Sequence, residues 1–116
     1  MPNILTALTT ILLLLVSNIF MTFAWYGHLK FKTFPLYLVI FVSWLIAFLE
    51  YCFQVPANRL GSSYFSTAEL KTIQEVITLV VFAVFSVLYL GEELRWTHGV
   101  GFAFIAIGCF FVFYKP

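Results

Sequence analysis

Three long stretches of this chain carry no charged side chain, residues 1–27, 33–49 and 76–91, and a fourth, 96–114, holds only His98 among titratable cations. A helix that crosses about 30 Å of hydrocarbon needs roughly 20 mostly apolar residues, so runs of this kind read first as membrane spans. The chain is 63% hydrophobic and 9% charged, whereas soluble domains carry about 25% charged residues. Lipid, not water, has to solvate such a surface. The expected fold is an all-α membrane protein with four transmembrane helices near 4–27, 35–55, 70–91 and 97–114, forming a single domain over 1–116.

Local signals place the helix ends. Pro35 suits the first turn of helix 2, where its missing N–H costs nothing, and Pro56 pushes Val55 away from helical geometry, which ends the helix there or kinks it. Ser66-Thr67-Ala68-Glu69 has the spacing of a capping box for helix 3, and Gly91 closes that helix before Glu92-Glu93-Leu94-Arg95. The first segment lacks a basic n-region and a small-residue cleavage site near Ala24-Trp25-Tyr26, so it reads as a retained helix and not as a signal peptide.

Several function classes drop out. A net charge of +1 offers no footprint for nucleic acid. All five acids are Glu, so no Ser-His-Asp triad can form, and HExxH, GxSxG and P-loop patterns are missing. Cys52 and Cys109 lie in apolar runs without CxxC spacing and read as buried, space-filling thiols. His28 and His98 sit at span ends, with no other ligand at metal spacing. No enzyme activity, metal or cofactor is expected.

The flanking charges do not orient the chain. With four spans, both termini share a side with loop 2, and that side carries Arg59, Lys71 and Lys115 against Lys30, Lys32 and Arg95 opposite. The positive-inside rule needs an excess, and there is none. Two readings fit: the chain inserts one way on a count too small to decide, or it has dual topology and pairs as an antiparallel homodimer. Four helices seldom enclose a ligand cavity alone, whereas two inverted copies reproduce the inverted-repeat plan of many secondary transporters.

Polar residues inside the spans carry the functional signal, because a central charge costs about 2.5–3.5 kcal/mol to insert. Glu50 lies in helix 2, roughly 8 Å of rise before Val55-Pro56. Ser43, Ala47 and Gln54 share its neighbourhood, beside Trp44, Phe48 and Tyr51. Glu75 in helix 3 has Lys71 one turn before it and Thr78 one turn after. Helices 2 and 3 are consecutive, so the two carboxylates are expected at similar depth and facing each other.

A buried ion pair of Lys71 with Glu75 or Glu50 would only fix packing; Lys71 is otherwise a candidate substrate- or proton-binding residue, since Lys71 and Arg59 could equally face an anionic substrate. A carboxyl without a cation in a low-dielectric site is instead a candidate proton carrier, or a counter-charge for a cationic ligand. Helix 1 adds Ser17, Asn18, Thr22 and Trp25, as interhelical hydrogen bonds or as cavity lining. Trp25, Trp44 and Tyr51 are candidates for a cation-binding wall. Gly101, Ile105 and Gly108 sit on one face of helix 4, where the glycines permit close packing within or between subunits.

The runs Ser17-Asn18-Ile19-Phe20-Met21-Thr22-Phe23-Ala24-Trp25-Tyr26-Gly27-His28-Leu29-Lys30, Phe48-Leu49-Glu50-Tyr51-Cys52-Phe53-Gln54-Val55-Pro56-Ala57-Asn58-Arg59 and Gln74-Glu75-Val76-Ile77-Thr78 resemble a small bacterial membrane-protein family of unknown function. That family is placed in the drug/metabolite transporter superfamily. Tyr89-Leu90-Gly91-Glu92-Glu93-Leu94-Arg95-Trp96, followed by Gly101 to Gly108, is similar to the helix 3–helix 4 junction and glycine face of that superfamily, the small multidrug resistance transporters included.

The resemblance implies four-helix units that pair, often as inverted dimers, in the inner (plasma) membrane of a bacterium. It also implies proton-coupled or exchange transport of a small molecule. Small multidrug resistance transporters carry their essential Glu in helix 1, which has no acid here, so that role does not carry over and a polyaromatic-cation substrate is not implied. The resulting expectation is a small secondary transporter in the lipid bilayer, a homodimer exchanging protons and a small-molecule substrate at Glu50, with Glu75, Gln54 and Asn18 along the path. A non-transporting scaffold or accessory subunit is the alternative.

Overall fold

The computed structural model describes residues 3–116. Met1 and Pro2, which the expected domain includes, lie outside the described residues. Four helices make up the fold: α1 (Ile4–Tyr26), α2 (Leu36–Gly61), α3 (Thr67–Leu88) and α4 (Trp96–Phe113), with a short 3₁₀ turn, Gly27–Lys30, after α1. Among the described residues there is no strand. All four helices are long and apolar enough to cross a membrane.

The caps follow from the local sequence. Asn3 caps α1 by accepting from the Thr6 N–H at 3.1 Å. Ser66 and Glu69 form the reciprocal box on α3, with Ser66 N–H donating to Glu69 Oε1 at 2.9 Å and Glu69 N–H to Ser66 Oγ at 3.2 Å. Gly91, at φ +72°, turns the chain out of α3 so that the Glu92 N–H reaches the Ser86 carbonyl at 2.9 Å. Only glycine adopts that left-handed backbone without steric cost.

Two differences from the sequence reading bear on function. First, α2 does not stop at Val55; it runs through Pro56 to Gly61. Proline withdraws one N–H, from the Cys52 carbonyl, and a membrane helix tolerates this because neighbouring groups and local adjustment satisfy the freed carbonyl. Glu50 therefore lies near the middle of α2, about 21 Å of rise from Leu36 and about 16 Å from Gly61.

Second, the helices lie side by side in the order α2–α1–α3–α4, because α1 packs along both α2 and α3 while α4 packs chiefly on α3. The result is a slab measuring 51 × 35 × 18 Å. Helix α1 is central because it carries the stripe Ala7, Thr10, Leu14, Ser17, Asn18, Thr22 and Ala24, which forms its buried face. Small and hydroxylated residues at three- and four-residue spacing let helices approach closely in lipid, where apolar bulk gives no advantage to the interior.

The large apolar side chains point outward instead. Leu36, Trp44, Phe48, Leu88, Trp96 and Phe104 are all exposed, and α4 has no buried residue. Cys52, expected to be buried, is exposed on the uncovered side of α2, because only α1 packs against that helix over most of its length; Cys109 is half-buried. Both are free thiols.

Candidate functional site

Of the 26 residues of α2, the buried ones are Glu50, Ala57 and Gly61, which form the seam against α1. Glu50 is only 5% exposed while its neighbours Phe48 and Leu49 stand out from the helix. The helix thus buries its carboxyl and exposes its hydrocarbon. Across the seam, Ser17 of α1 is completely buried, with Oγ 3.0 Å from Glu50 Oε1 and 2.6 Å from Gln54 Oε1. Glu50 and Gln54 stand one turn apart, so a single hydroxyl reaches both.

Glu50 also lines a groove of about 550 Å³ between α1 and α2. Trp25, Trp44 and Tyr51 form part of its wall, with Ser43 and Ala47 on the α2 side and His28 and Leu36 toward loop 1. The groove thus spans the stretch of α2 from the loop 1 end to Glu50. A second, more apolar cavity of about 280 Å³ shares His28, Val39 and Ser43 with it and is walled by Phe23, Phe31, Phe34 and Tyr89. Lys30 lies over the Tyr89 ring, 4.5 Å from its centroid. The structure therefore brings Glu50, Trp25, Trp44 and Tyr51 to one groove, with Gln54 tied to Glu50 through Ser17.

The remaining sequence candidates lie elsewhere. Asn18 is fully buried in the opposite seam, against α3: its Nδ2 donates to the Leu14 carbonyl at 2.7 Å, and Thr78 Oγ1 donates to its Oδ1 at 2.5 Å. Every polar atom of that side chain is engaged there, so Asn18 ties α1 to α3 and does not line the groove. Glu75 does not face Glu50, because α1 intervenes between α2 and α3. It pairs instead with Lys71 at 2.8 Å, and both side chains are more than half exposed. Direct contact between α2 and α3 includes a hydrogen bond near loop 2, where Gln74 Nε2 donates to Asn58 Oδ1 at 2.8 Å.

On α4, Gly101 and Gly108 have open space where a side chain would sit, while Ile105 lines the groove between α3 and α4 with Phe102 and Ala106. The glycine row therefore has no partner among the described residues of one chain. Among the described residues, no cluster of His, Cys or acids has metal-binding geometry.

Ser17 is the residue that sequence reasoning placed too loosely. Its signal was its position in the small, polar stripe of α1, opposite an acid and an amide one turn apart on α2. What a lone serine could not reveal was which neighbouring helix it faced.

Residues 10–113 match the profile of a family described as "Putative member of DMT superfamily (DUF486)", DMT denoting the drug/metabolite transporters. The chain belongs to this family, and with four apolar spans it is an integral membrane protein. No match was found among curated proteins or among solved structures.

Proposed function

We propose that this family member is a small secondary transporter in which Glu50 exchanges a proton for a small molecule at the α1–α2 groove. The observation that carries this reading is a buried carboxyl, 5% exposed, that lines a groove of about 550 Å³ and, among the described residues, takes part in no salt bridge. Among the described residues the salt bridge is Lys71–Glu75, on another helix. One carboxyl cannot hold a proton and a cationic ligand together, so binding one releases the other. The scaffold alternative requires Glu50 to sit in a fixed ion pair, and the geometry gives no support for that.

The aromatic wall favours a small organic cation that carries apolar groups, because ring faces attract cations when water is excluded. The flat, four-helix slab favours a second copy as well. With α4 uncovered and the glycine row open, two chains of opposite orientation complete an enclosure that one chain lacks. The balanced flanking charges are compatible with that arrangement. The membrane of residence is, on this reading, the inner membrane of a bacterium.

The test is reconstitution in liposomes, recording currents driven by a pH gradient against guanidinium, quaternary-ammonium and anionic compounds, with Glu50→Gln in parallel. A cation-dependent current that disappears in Glu50→Gln is the expected result. An unchanged current in that variant removes Glu50 from the mechanism.

A further inference from the structure

We propose that Ser17 is a positioning residue that passes the protonation state of Glu50 to the Gln54 amide, turning that amide over as Glu50 gains or loses its proton. Ser17 Oγ contacts two oxygens, Glu50 Oε1 at 3.0 Å and Gln54 Oε1 at 2.6 Å. Two oxygen–oxygen contacts need two protons, and a serine hydroxyl supplies one. Ser17 is fully buried, so water does not supply the other.

Two arrangements balance. With Glu50 protonated, its O–H donates to Ser17 Oγ and the Ser17 O–H donates to the Gln54 carbonyl. With Glu50 ionised, the Ser17 O–H turns to the carboxylate, and its lone pairs would face the Gln54 carbonyl oxygen. The amide then rotates by half a turn so that Nε2 donates to Ser17 Oγ. The Gln54 oxygen and nitrogen exchange places without backbone movement, and the one proton that enters or leaves does so at Glu50.

Nothing else in the seam competes for this role. Helix α1 carries no Asp, Glu, Lys, Arg or His. His28 and Tyr51 line the groove, and the α3 side chains Lys71 and Glu75 hold each other. Gln54 lies one turn of α2 from Glu50 toward loop 2, and Asn58, which accepts from Gln74 of α3, lies one turn further. The amide thus stands between the carboxyl and the α2–α3 tie. In transport this device rests on the reading of Glu50 as the exchanging group; the amide response itself does not.

The chain has two glutamines, Gln54 and Gln74, which makes the test direct. Full-length protein in lipid nanodiscs, labelled with ¹⁵N at the glutamine side chains, is titrated by NMR, with Gln74→Met assigning the signals. The Glu50 carboxyl band is followed by infrared difference against Glu50→Gln. The expected result is a Gln54 amide shift with the same midpoint as the Glu50 band, lost in Ser17→Ala while Glu50 still titrates, and retained in Ser17→Thr. Should Ser17→Ala not fold, Glu50→Gln serves instead: its amide neither gains nor loses a proton in this range, so the Gln54 signal must then be independent of pH.

A Gln54 response unchanged in Ser17→Ala, a silent Gln54 while Glu50 titrates, or a Glu50 that never titrates in the folded protein overturns the proposal. No substrate is needed for these measurements. An absence of transport therefore leaves the inference standing, and a silent Gln54 leaves the transporter reading standing.

Discussion

Ser17 of α1 and Glu50 of α2 meet across a seam from which water is excluded, 3.0 Å apart, and the contact joins the central helix of the slab to its buried carboxyl. Hydrogen bonds between membrane helices contribute about 1 kcal/mol each. Ser17→Ala is therefore expected to lower stability by about that amount, read as earlier unfolding in a denaturing-detergent titration from mixed micelles. Because the same hydroxyl also serves Gln54, Ser17→Ala and Gln54→Leu should not add: a double-mutant cycle is expected to show a coupling of about 0.5–1.5 kcal/mol. Simple additivity would mean that the two side chains do not share a bond.

The opposite seam makes a separate prediction. Thr78→Val removes the donor to Asn18 Oδ1, and Asn18→Ala removes both that acceptor and the donor to the Leu14 carbonyl. Both variants should lose stability, by about 1 kcal/mol for the valine and more for the alanine. Neither should change which compounds drive a current, since Asn18 lies outside the groove. A changed substrate profile in Asn18→Ala would return that residue to the transport path.

Gly61 sits where three helices converge. A methyl group there would lie 2.6 Å from Thr10 Cγ2 and 2.8 Å from Leu70 Cδ2. Thr10 has little freedom to yield, being fully buried with its hydroxyl bonded to the Thr6 carbonyl at 2.8 Å. Gly61→Ala should cost about 1–3 kcal/mol, the usual range for overpacking a tight junction, and should reduce the yield of folded protein. Unaltered thermal stability in detergent would show that Thr10 and Leu70 yield to the added methyl group.

These residues also mark the limits of the sequence reading. The spans were legible because lipid demands long uncharged runs, and the capping box on α3 because its two side chains must stand three residues apart. The order of the helices was not legible. In lipid the interior is not the more hydrophobic side, so the apolar runs of α2 and α4 say nothing of their position, and only the stripe from Ala7 to Ala24 distinguishes α1 as central. The same ambiguity set Glu75 opposite Glu50 by chain neighbourhood alone. Pro56 misled for a related reason: in water a mid-helix proline usually marks a boundary, whereas a span has no water to take over the backbone groups of an interrupted helix. The groove residues were legible by type, as acid and aromatics in a span, but their convergence depended on α1 packing against α2.

The Lys71–Glu75 pair is spaced i, i+4 on an exposed stretch of α3. Such pairs contribute no more than about 0.5 kcal/mol. Lys71→Ala and Glu75→Gln are each expected to leave unfolding within that margin and to leave proton-coupled currents intact, in contrast to Glu50→Gln. Loss of current in Glu75→Gln with folding preserved would move the proposed exchanging carboxyl from α2 to α3.

The glycine row on α4 separates packing within a chain from packing between chains. Gly101 and Gly108 meet no atom within 4 Å when given a methyl group, so their replacement puts nothing into conflict inside one copy. If a second chain packs against that row, a bulky side chain there must hold the two apart, because close helix approach in lipid depends on small residues. Gly101→Leu and Gly108→Leu should therefore leave helix content unchanged by circular dichroism while lowering the cross-linked dimer fraction in liposomes, most strongly in the double variant. Cysteine pairs that cross-link only between opposite ends of the helices would further identify the pairing as antiparallel. An undiminished dimer in the double variant would place the contact on the other uncovered helix, α2, and with it the α1–α2 groove and Glu50 at the junction of the two copies.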